Sequence, residues 1–155
     1  MCASAAMLQR LLFHALFVAA SSTRLESFHA GLRATHAGDA TAALEHFRAA
    51  VDARGSLGAD DVSLHLALGE ALSRAGHASE ATEHLQRALD LCEEYGLGGK
   101  VVGTVEYNLG VALEELGGET SRAEMLYRKA ASQGIRPALF NLVCSHLGSQ
   151  AHRRA

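Results

Sequence analysis

The chain has 155 residues, of which 48% are hydrophobic and 20% are charged, values typical of a globular domain and not of a disordered chain. Its formal net charge of −3 argues against a nucleic-acid-binding surface, because such a surface needs an excess of lysine and arginine. A single proline, Pro137, and many alanines favour an all-α fold in one domain.

An apolar segment, residues 1–22, comes first. Its apolar run extends from Leu11 to Ala20, interrupted by His14, and Arg10 is the one positive charge before that run. Small residues after the run fit the cleavage site of a secretory signal peptide. The absence of any acid before Glu26 also suits an organellar transit peptide. The third interpretation is a capping helix that packs on the first structural unit.

These interpretations predict different locations for the protein. A signal peptide predicts a secretory or endomembrane location, and otherwise we expect a cytoplasmic one. The apolar run is too short for a comfortable membrane span. We therefore expect membrane contact only if residues 8–20 are retained as an anchor.

A repeated pattern occupies residues 23–148. A glycine inside a predicted helix recurs as Gly31, Gly69 and Gly110, at intervals of 38 and 41 residues, which are within the range of helical solenoids. After each glycine come a glycine-containing turn and a second helix with a small–large–small triplet, spaced i, i+4, i+7 along one helix stripe. The triplets are Ala43/Phe47/Ala50, Ala81/Leu85/Ala88 and Ala123/Tyr127/Ala130.

This pattern predicts helices that pack closely in pairs. A glycine without a Cβ lets the partner helix approach, and the large triplet residue fills the gap between the alanines. Each pair leaves an apolar face that only the next pair can cover, so the units are expected to stack. The predicted elements are three helix pairs over about 24–57, 62–95 and 103–135, a capping helix over 136–148, and a frayed tail over 149–155.

The third unit resembles the tetratricopeptide repeat at its core positions, which are Leu109, Gly110, Leu113, Ala123, Tyr127 and Ala130. The last unit also resembles the related Sel1-like repeat through the run YRKAASQGIRPALFNL. One departure concerns the large aromatic residue usual early in the first helix, which is replaced by Ser27, His65 and Glu106. The resemblance implies an all-α, right-handed superhelix of stacked antiparallel helix pairs that acts as a protein-binding scaffold.

The histidines and cysteines do not predict a metal site or an active site. Two histidine pairs, His29/His36 and His77/His84, lie seven residues apart, which is about 10.5 Å along a helix and too far for two ligands of one metal. No CxxC or HExxH motif occurs. We therefore expect no metal, no cofactor and no enzymatic activity.

Two cysteines lie in the repeat region. Cys92 and Cys144 are separated by about a repeat and a half, too far for the Cα spacing of a disulfide. We predict free thiols that are buried or half-buried.

The resemblance implies that a ligand contacts the inward-facing residues of the first helices. The predicted groove residues are Phe28, Leu32, His36, Leu66, Glu70, Arg74, Tyr107, Asn108, Val111, Glu114, Phe140 and Asn141. Two of their pairs, Tyr107-Asn108 and Phe140-Asn141, occupy equivalent places. An aromatic ring supplies contact area, and a carboxamide both donates to and accepts from a peptide backbone. The alternative is that these rings pack between units.

Two functions remain open at this point. The first is a protein–protein interaction scaffold that binds a peptide segment or helix of a protein partner in the groove. The alternative is a structural or assembly element, membrane-associated through residues 8–20, whose groove is occupied by its own N-terminal segment.

The resemblance also yields a negative prediction. Chaperone-binding members of the family hold a C-terminal carboxylate with a clamp of lysine and asparagine. The equivalent places here hold mainly Phe28, Leu32, Glu70, Val111 and Glu115, with Arg74 as the lone cation. We therefore expect no specific binding of acidic chaperone tails.

Overall fold

The computed structural model describes residues 2–53, 58–117 and 119–152. Over these ranges the chain forms seven α-helices and no strand. The helices are α1 (Cys2–Ala37), α2 (Ala40–Asp52), α3 (Asp60–Arg74), α4 (Ala78–Glu94), α5 (Lys100–Leu116), α6 (Thr120–Ser132) and α7 (Arg136–His152). The predicted all-α class is therefore confirmed for the described residues.

The chain divides into two compact units. The first unit comprises Met1–Leu64, with α1, α2 and the beginning of α3. The second unit comprises His65–Ala155, with the rest of α3 and helices α4 to α7. In the second unit, each helix from α4 to α7 packs against the next one along the chain.

The seam between the two helices of a pair forms as the sequence predicts. A Cβ built on the helical glycine would come closer than 3 Å to the large triplet residue of the partner helix, a distance that real Cβ atoms essentially never show. The distances are 2.5 Å for Gly31 to Phe47, 2.5 Å for Gly69 to Leu85 and 2.7 Å for Gly110 to Tyr127. All nine triplet residues are buried, so the predicted close packing is confirmed.

The turns inside the pairs depend on glycine backbone conformation. Gly38 and Gly76 follow the first helices of their pairs with φ of 78° and 80°, in the left-handed region that other residues rarely adopt. After the first of these turns, the Asp39 side chain accepts a hydrogen bond from the Ala42 amide at 3.0 Å and caps α2. Short turns of this kind make the paired helices antiparallel.

The N-terminal segment differs from its predicted packing. It is the first half of α1, which runs without a break from Cys2 to Ala37. Its described large apolar side chains are exposed, Phe13 by 74% and Leu16 by 70%. Because these side chains face solvent, they do not make the contacts expected of a capping helix packed on the first unit. The groove occupied by the N-terminal segment stays a prediction. None of the described helices is long and apolar enough to cross a membrane.

The end of the repeat region also differs from the prediction. Helix α7 continues past Gly148 to His152, so residues 149–152 are helical and not frayed. Pro137, the one proline of the helix, does not interrupt it. It lies in the first turn, where its missing N–H costs no hydrogen bond. The predicted tail beyond His152 and the predicted end of the first unit at residues 54–57 lie outside the described residues.

A buried ion pair stabilises the first unit. The Arg24 guanidinium on α1 lies 2.8 Å from an Asp61 carboxylate oxygen at the beginning of α3, and both side chains are only 10% exposed. Arg24 also donates to the Ala53 carbonyl at 3.4 Å. The pair therefore joins α1 to the beginning of α3 within the unit.

A buried carboxyl group lies in the second unit, where Glu106 on α5 is 4% exposed. Gln133 Nε2, just after α6, donates to Glu106 Oε2 at 2.7 Å. Burial raises the pKa of Glu106, while the Lys129 ammonium and the Gln133 hydrogen bond oppose that rise without cancelling it. A polar group therefore replaces the large aromatic residue usual at this position.

Substituting Glu106 with glutamine is expected to change how stability depends on pH. Because the folded-state pKa exceeds the unfolded value of about 4.3, the stability that the protonated carboxyl contributes is fully present below about pH 4 and is lost as pH rises through the folded pKa. The neutral amide does not titrate. We expect urea unfolding to show the variant gaining stability relative to the wild type between pH 4 and pH 7. The exposed Glu93→Gln is the matched control, and an identical difference at both pH values contradicts the prediction.

Candidate functional site

Most of the predicted groove residues lie on three helices of the second unit. Their positions are Leu66, Glu70 and Arg74 on α3, Tyr107, Asn108, Val111 and Glu114 on α5, and Phe140 and Asn141 on α7. We call these nine residues the α3–α5–α7 face. The other three predicted residues, Phe28, Leu32 and His36, lie on α1 in the first unit.

Phe28 does not have the accessibility that its predicted role requires. It is 8% exposed, and its ring centroid lies 6.0 Å from that of Phe47 on α2. The ring packs in the α1–α2 pair, so it is a core residue and not a ligand contact. Leu32 is half-buried and His36 is exposed.

Three members of the face meet around one buried hydroxyl group. Tyr127 on α6 is fully buried, and its hydroxyl donates to Glu114 Oε2 at 2.7 Å. The Asn141 side chain lies near the same hydroxyl, where it acts to lower the pKa of Tyr127. The Tyr107 ring lies against the Tyr127 ring, with centroids 6.0 Å apart and planes tilted by 43°. This cluster, which we call the Tyr127 cluster, brings side chains of α5 and α7 to the same buried hydroxyl.

The two aromatic residues of the predicted pairs have different surroundings. Tyr107 packs on Tyr127 within the third helix pair and not between units, and it remains half-buried at the border of the face. The equivalent residue on α7, Phe140, is 70% exposed. The two rings therefore have different roles, and only that of Phe140 is largely open to solvent.

Replacing Tyr127 with phenylalanine tests the role of the hydroxyl. Burial and the neighbouring Glu114 carboxylate raise the pKa of Tyr127 well above its usual value of about 10. The stability that the neutral hydroxyl contributes is therefore present below about pH 10 and is lost as the unfolded chain ionises above it. We expect Tyr127→Phe to cost about 1–2 kcal/mol at pH 7 and to lose less stability than the wild type between pH 9 and pH 11, measured by urea unfolding. The exposed Tyr95→Phe is the control, and parallel pH profiles for wild type and Tyr127→Phe contradict the assignment.

Acidic groups give the face its charge. Glu70 accepts a hydrogen bond from Arg74 at 2.5 Å, one turn along α3. Ser73 on α3 donates to Glu115 on α5, which adds a second carboxylate beside the face. With Glu114 in the Tyr127 cluster, the carboxylates outnumber the one arginine of the face, and that arginine is already paired.

A pocket of about 420 Å³ lies next to these carboxylates in the second unit. Its lining residues are Gly76, His77, Ala78, Ser79, Glu80, Glu115 and Leu116. The pocket lies where the turn after α3 approaches the end of α5. Glu80 and Glu115 give it an acidic lining, like that of the neighbouring face.

One residue of the α3–α5–α7 face, Asn108, hydrogen-bonds within its own helix. The Asn108 amide nitrogen donates to the Thr104 carbonyl, one turn earlier on α5, at 3.0 Å. Asn108 therefore has its amide nitrogen engaged and its half-buried side chain held against its own helix. Val111 and Leu66 are likewise half-buried.

A histidine pair escaped the sequence analysis. His65 Nδ1 on α3 lies 3.1 Å from His84 Nδ1 on α4, and the two rings stack with centroids 5.3 Å apart. One ring must donate and the other accept in this hydrogen bond. Sequence spacing reveals histidine pairs only within one helix, and these two histidines lie on different helices. Among the described side chains, no group of three or more histidine, cysteine, aspartate or glutamate residues could hold a metal ion.

The two cysteines are free thiols, as predicted. Cys92 is buried, and burial together with the nearby Glu106 carboxylate raises its pKa. A thiol held in its protonated form is a poor nucleophile. Cys144 is exposed, so the prediction that both thiols are at least half-buried is wrong for this residue on the open side of α7.

Comparisons with known proteins find a family match for part of the repeat region. Residues 60–132 match the family model described as the tetratricopeptide repeat. A search of the curated proteins found no match. The Sel1-like resemblance of the last unit stays a prediction.

Two solved structures are similar in fold. The TPR2AB domain of yeast Sti1 in its complex with pHSP90 is 18% identical, with a TM-score of 0.67 over 85% of this chain and 49% of that chain. The N-terminal domain of stress-induced protein-1 (STI-1) from C. elegans is 13% identical, with a TM-score of 0.64 over 83% of this chain and 98% of that domain. This chain thus spans about half the length of the yeast chain. The predicted fold class, a solenoid of paired antiparallel helices, is confirmed.

Proposed function

We propose that this chain, in which residues 60–132 match the tetratricopeptide repeat, is a non-enzymatic scaffold that binds an extended segment of a partner protein on the α3–α5–α7 face. The observation that carries this proposal is Phe140. Its ring is 70% exposed on a helix whose next residue, Asn141, lies near the Tyr127 hydroxyl. An exposed aromatic side chain beside rigid polar groups is the composition of a binding hot spot.

The Tyr127 cluster supports this proposal energetically. A ligand that meets flexible side chains must order them, at about 0.5–1.5 kcal/mol for each one immobilised. Glu114 and Tyr107 are already held by Tyr127 in the free protein. The cost of ordering this part of the face is therefore met by folding and not by binding.

The charge of the face favours a neutral or basic partner segment. Glu70, Glu114 and Glu115 surround the single arginine, Arg74, which is paired with Glu70. An acidic tail would have to displace Glu70 from Arg74 and would then meet the remaining carboxylates. We therefore propose that the chain does not bind acidic chaperone tails, although the yeast neighbour is described in a complex with pHSP90. A micromolar complex with such a peptide, lost in Arg74→Ala, would overturn this part of the proposal.

Site-specific photocrosslinking tests the binding face. A photoreactive phenylalanine at position 140 is compared with one at position 125, because Met125 is also an exposed apolar residue (47%) but lies on α6 and outside the face. We expect partner peptides to crosslink to position 140 and not to position 125. Mass spectrometry then identifies the peptide, and its affinity for the Phe140→Ala and Met125→Ala variants is measured. A loss of at least tenfold restricted to Phe140→Ala supports the proposal, and equal affinity for both variants refutes it.

A further inference from the structure

The first half of α1 extends beyond its partner helix α2. Helix α1 has 36 residues and α2 has 13, which correspond to about 54 Å and about 20 Å of helix. Because Gly31 and Phe47 form the seam of this pair, α2 lies along the second half of α1. Residues 9–20, which we call the α1 apolar segment, therefore extend beyond the part of the helix that α2 covers.

The α1 apolar segment exposes an unusual amount of apolar surface. Its exposed large apolar residues are Leu12 (64%), Phe13 (74%), Leu16 (70%), Phe17 (47%) and Val18 (53%). Phe13, Leu16, Phe17 and Ala20 line an apolar pocket on this part of the helix. A contiguous apolar surface of this kind marks a site of interaction with a protein or a membrane.

The charges on the segment distinguish between these two occupants. Arg10 and His14 are four residues apart, so they lie on one side of the helix, and both are exposed. Before Glu26 the sequence contains no acidic residue. The α1 apolar segment thus combines a broad exposed apolar surface with one arginine and contains no acidic residue.

We propose that the α1 apolar segment docks on an anionic lipid surface. Its apolar residues enter the boundary between head groups and acyl chains, and Arg10 and His14 lie at the level of the head groups. The twelve residues measure about 18 Å along the helix axis, so the segment lies in the plane of the interface. This site is independent of the α3–α5–α7 face.

A second copy of the chain fits this segment less well. Pairing two such segments would supply no acidic side chain to compensate either Arg10, because neither segment contains one. Anionic head groups supply that compensation in every orientation of the helix. The seams between paired helices in this protein also each place a glycine against a large side chain, and residues 9–20 contain no glycine.

Vesicle flotation of the full chain tests the proposal. The vesicles contain phosphatidylcholine alone or phosphatidylcholine with about one third phosphatidylserine. We expect the wild type to float with the anionic vesicles and to be released as salt is raised, because the attraction is screened. The double variant Phe13→Asp/Leu16→Asp is expected to lose at least tenfold in partitioning, and Arg10→Glu is expected to bind more weakly than the wild type.

Controls separate this result from its alternatives. Met125→Asp places the same charge on an exposed apolar position of α6 and is expected to float like the wild type. Circular dichroism checks that each variant is folded. Equal flotation with neutral vesicles, or no flotation at all, overturns the proposal. So does a dimer, detected by light scattering without vesicles, that Phe13→Asp/Leu16→Asp dissociates, because a second copy then covers the segment.

Discussion

Substituting Gly69 with valine is expected to destabilise the protein by about 3 kcal/mol, the upper end of the usual cost of overpacking a core. A Cβ at this position would lie 2.5 Å from Leu85 Cγ and 2.9 Å from Leu85 Cδ2. Leu85 is fully buried on α4, so it cannot move into solvent to make room. Removing a helical glycine also gains helix propensity, but that gain is below about 1 kcal/mol and does not offset the clash.

The stability of the Gly69→Val variant is measured by urea unfolding, with Gly98→Val as the matched control. Nothing lies within 4 Å of a Cβ at Gly98, and its backbone does not adopt a positive φ. We expect the control to stay within about 0.5 kcal/mol of the wild type. Equal effects of the two substitutions would show that the seam has room for a side chain.

A double-mutant cycle identifies the clashing partner. Leu85→Ala alone is expected to cost about 2–5 kcal/mol, because it leaves a cavity in the seam. Valine at position 69 fills part of that cavity, so Gly69→Val should cost much less in the Leu85→Ala background. The non-additivity is expected to exceed about 1 kcal/mol. Additive effects would mean that the two side chains do not share the same space.

The packing of the helix pairs is readable from the sequence because it depends on side-chain size at fixed spacing. Gly69 and Leu85 are recognisable as partners from the period alone, and their contact in the structure is the predicted one. The same reasoning applies to the turn at Gly76, where a positive φ requires glycine. Side-chain size and backbone freedom are set by residue type, so a periodic sequence pattern shows where the chain needs each of them.

The functional face is less readable, because it depends on hydrogen bonds between helices. The sequence places Glu114 and Asn141 on the face but does not show that both meet the hydroxyl of Tyr127, since the three residues lie on three helices. Phe28 is predicted to face the groove because it lies on the first helix of a pair. The structure instead buries its ring against the ring of Phe47.

The continuity of α1 could have been predicted from the residue types of its sequence. No glycine or proline occurs before Gly31, so nothing interrupts helix formation there. Composition instead drew attention to targeting segments, which share the same apolar run. The exposure of Phe13 and Leu16 could not be predicted, because it depends on where α2 ends.

Buried charges are the features that the sequence shows least, and Arg24 is the clearest example in the first unit. Substituting Arg24 with methionine is expected to destabilise the protein by about 3–5 kcal/mol, because it removes the guanidinium that compensates a buried Asp61 carboxylate. The two groups are 2.8 Å apart and 10% exposed. Methionine keeps most of the side-chain volume, so the loss reports on charge and not on a cavity.

The surface pair Arg74–Glu70 provides the matched control for this prediction. Its two groups lie 2.5 Å apart, but the side chains are 61% and 42% exposed, so water already solvates both charges. We expect Arg74→Met to cost at most about 1 kcal/mol. The double variant Arg24→Met/Asp61→Asn should recover part of the stability lost in Arg24→Met, because the buried carboxylate that lost its ion pair with Arg24 is then replaced by a neutral amide. The free energy of unfolding of the wild type and the three variants is measured in urea. Equal losses for Arg24→Met and Arg74→Met would show that burial of the Arg24–Asp61 pair has no energetic consequence.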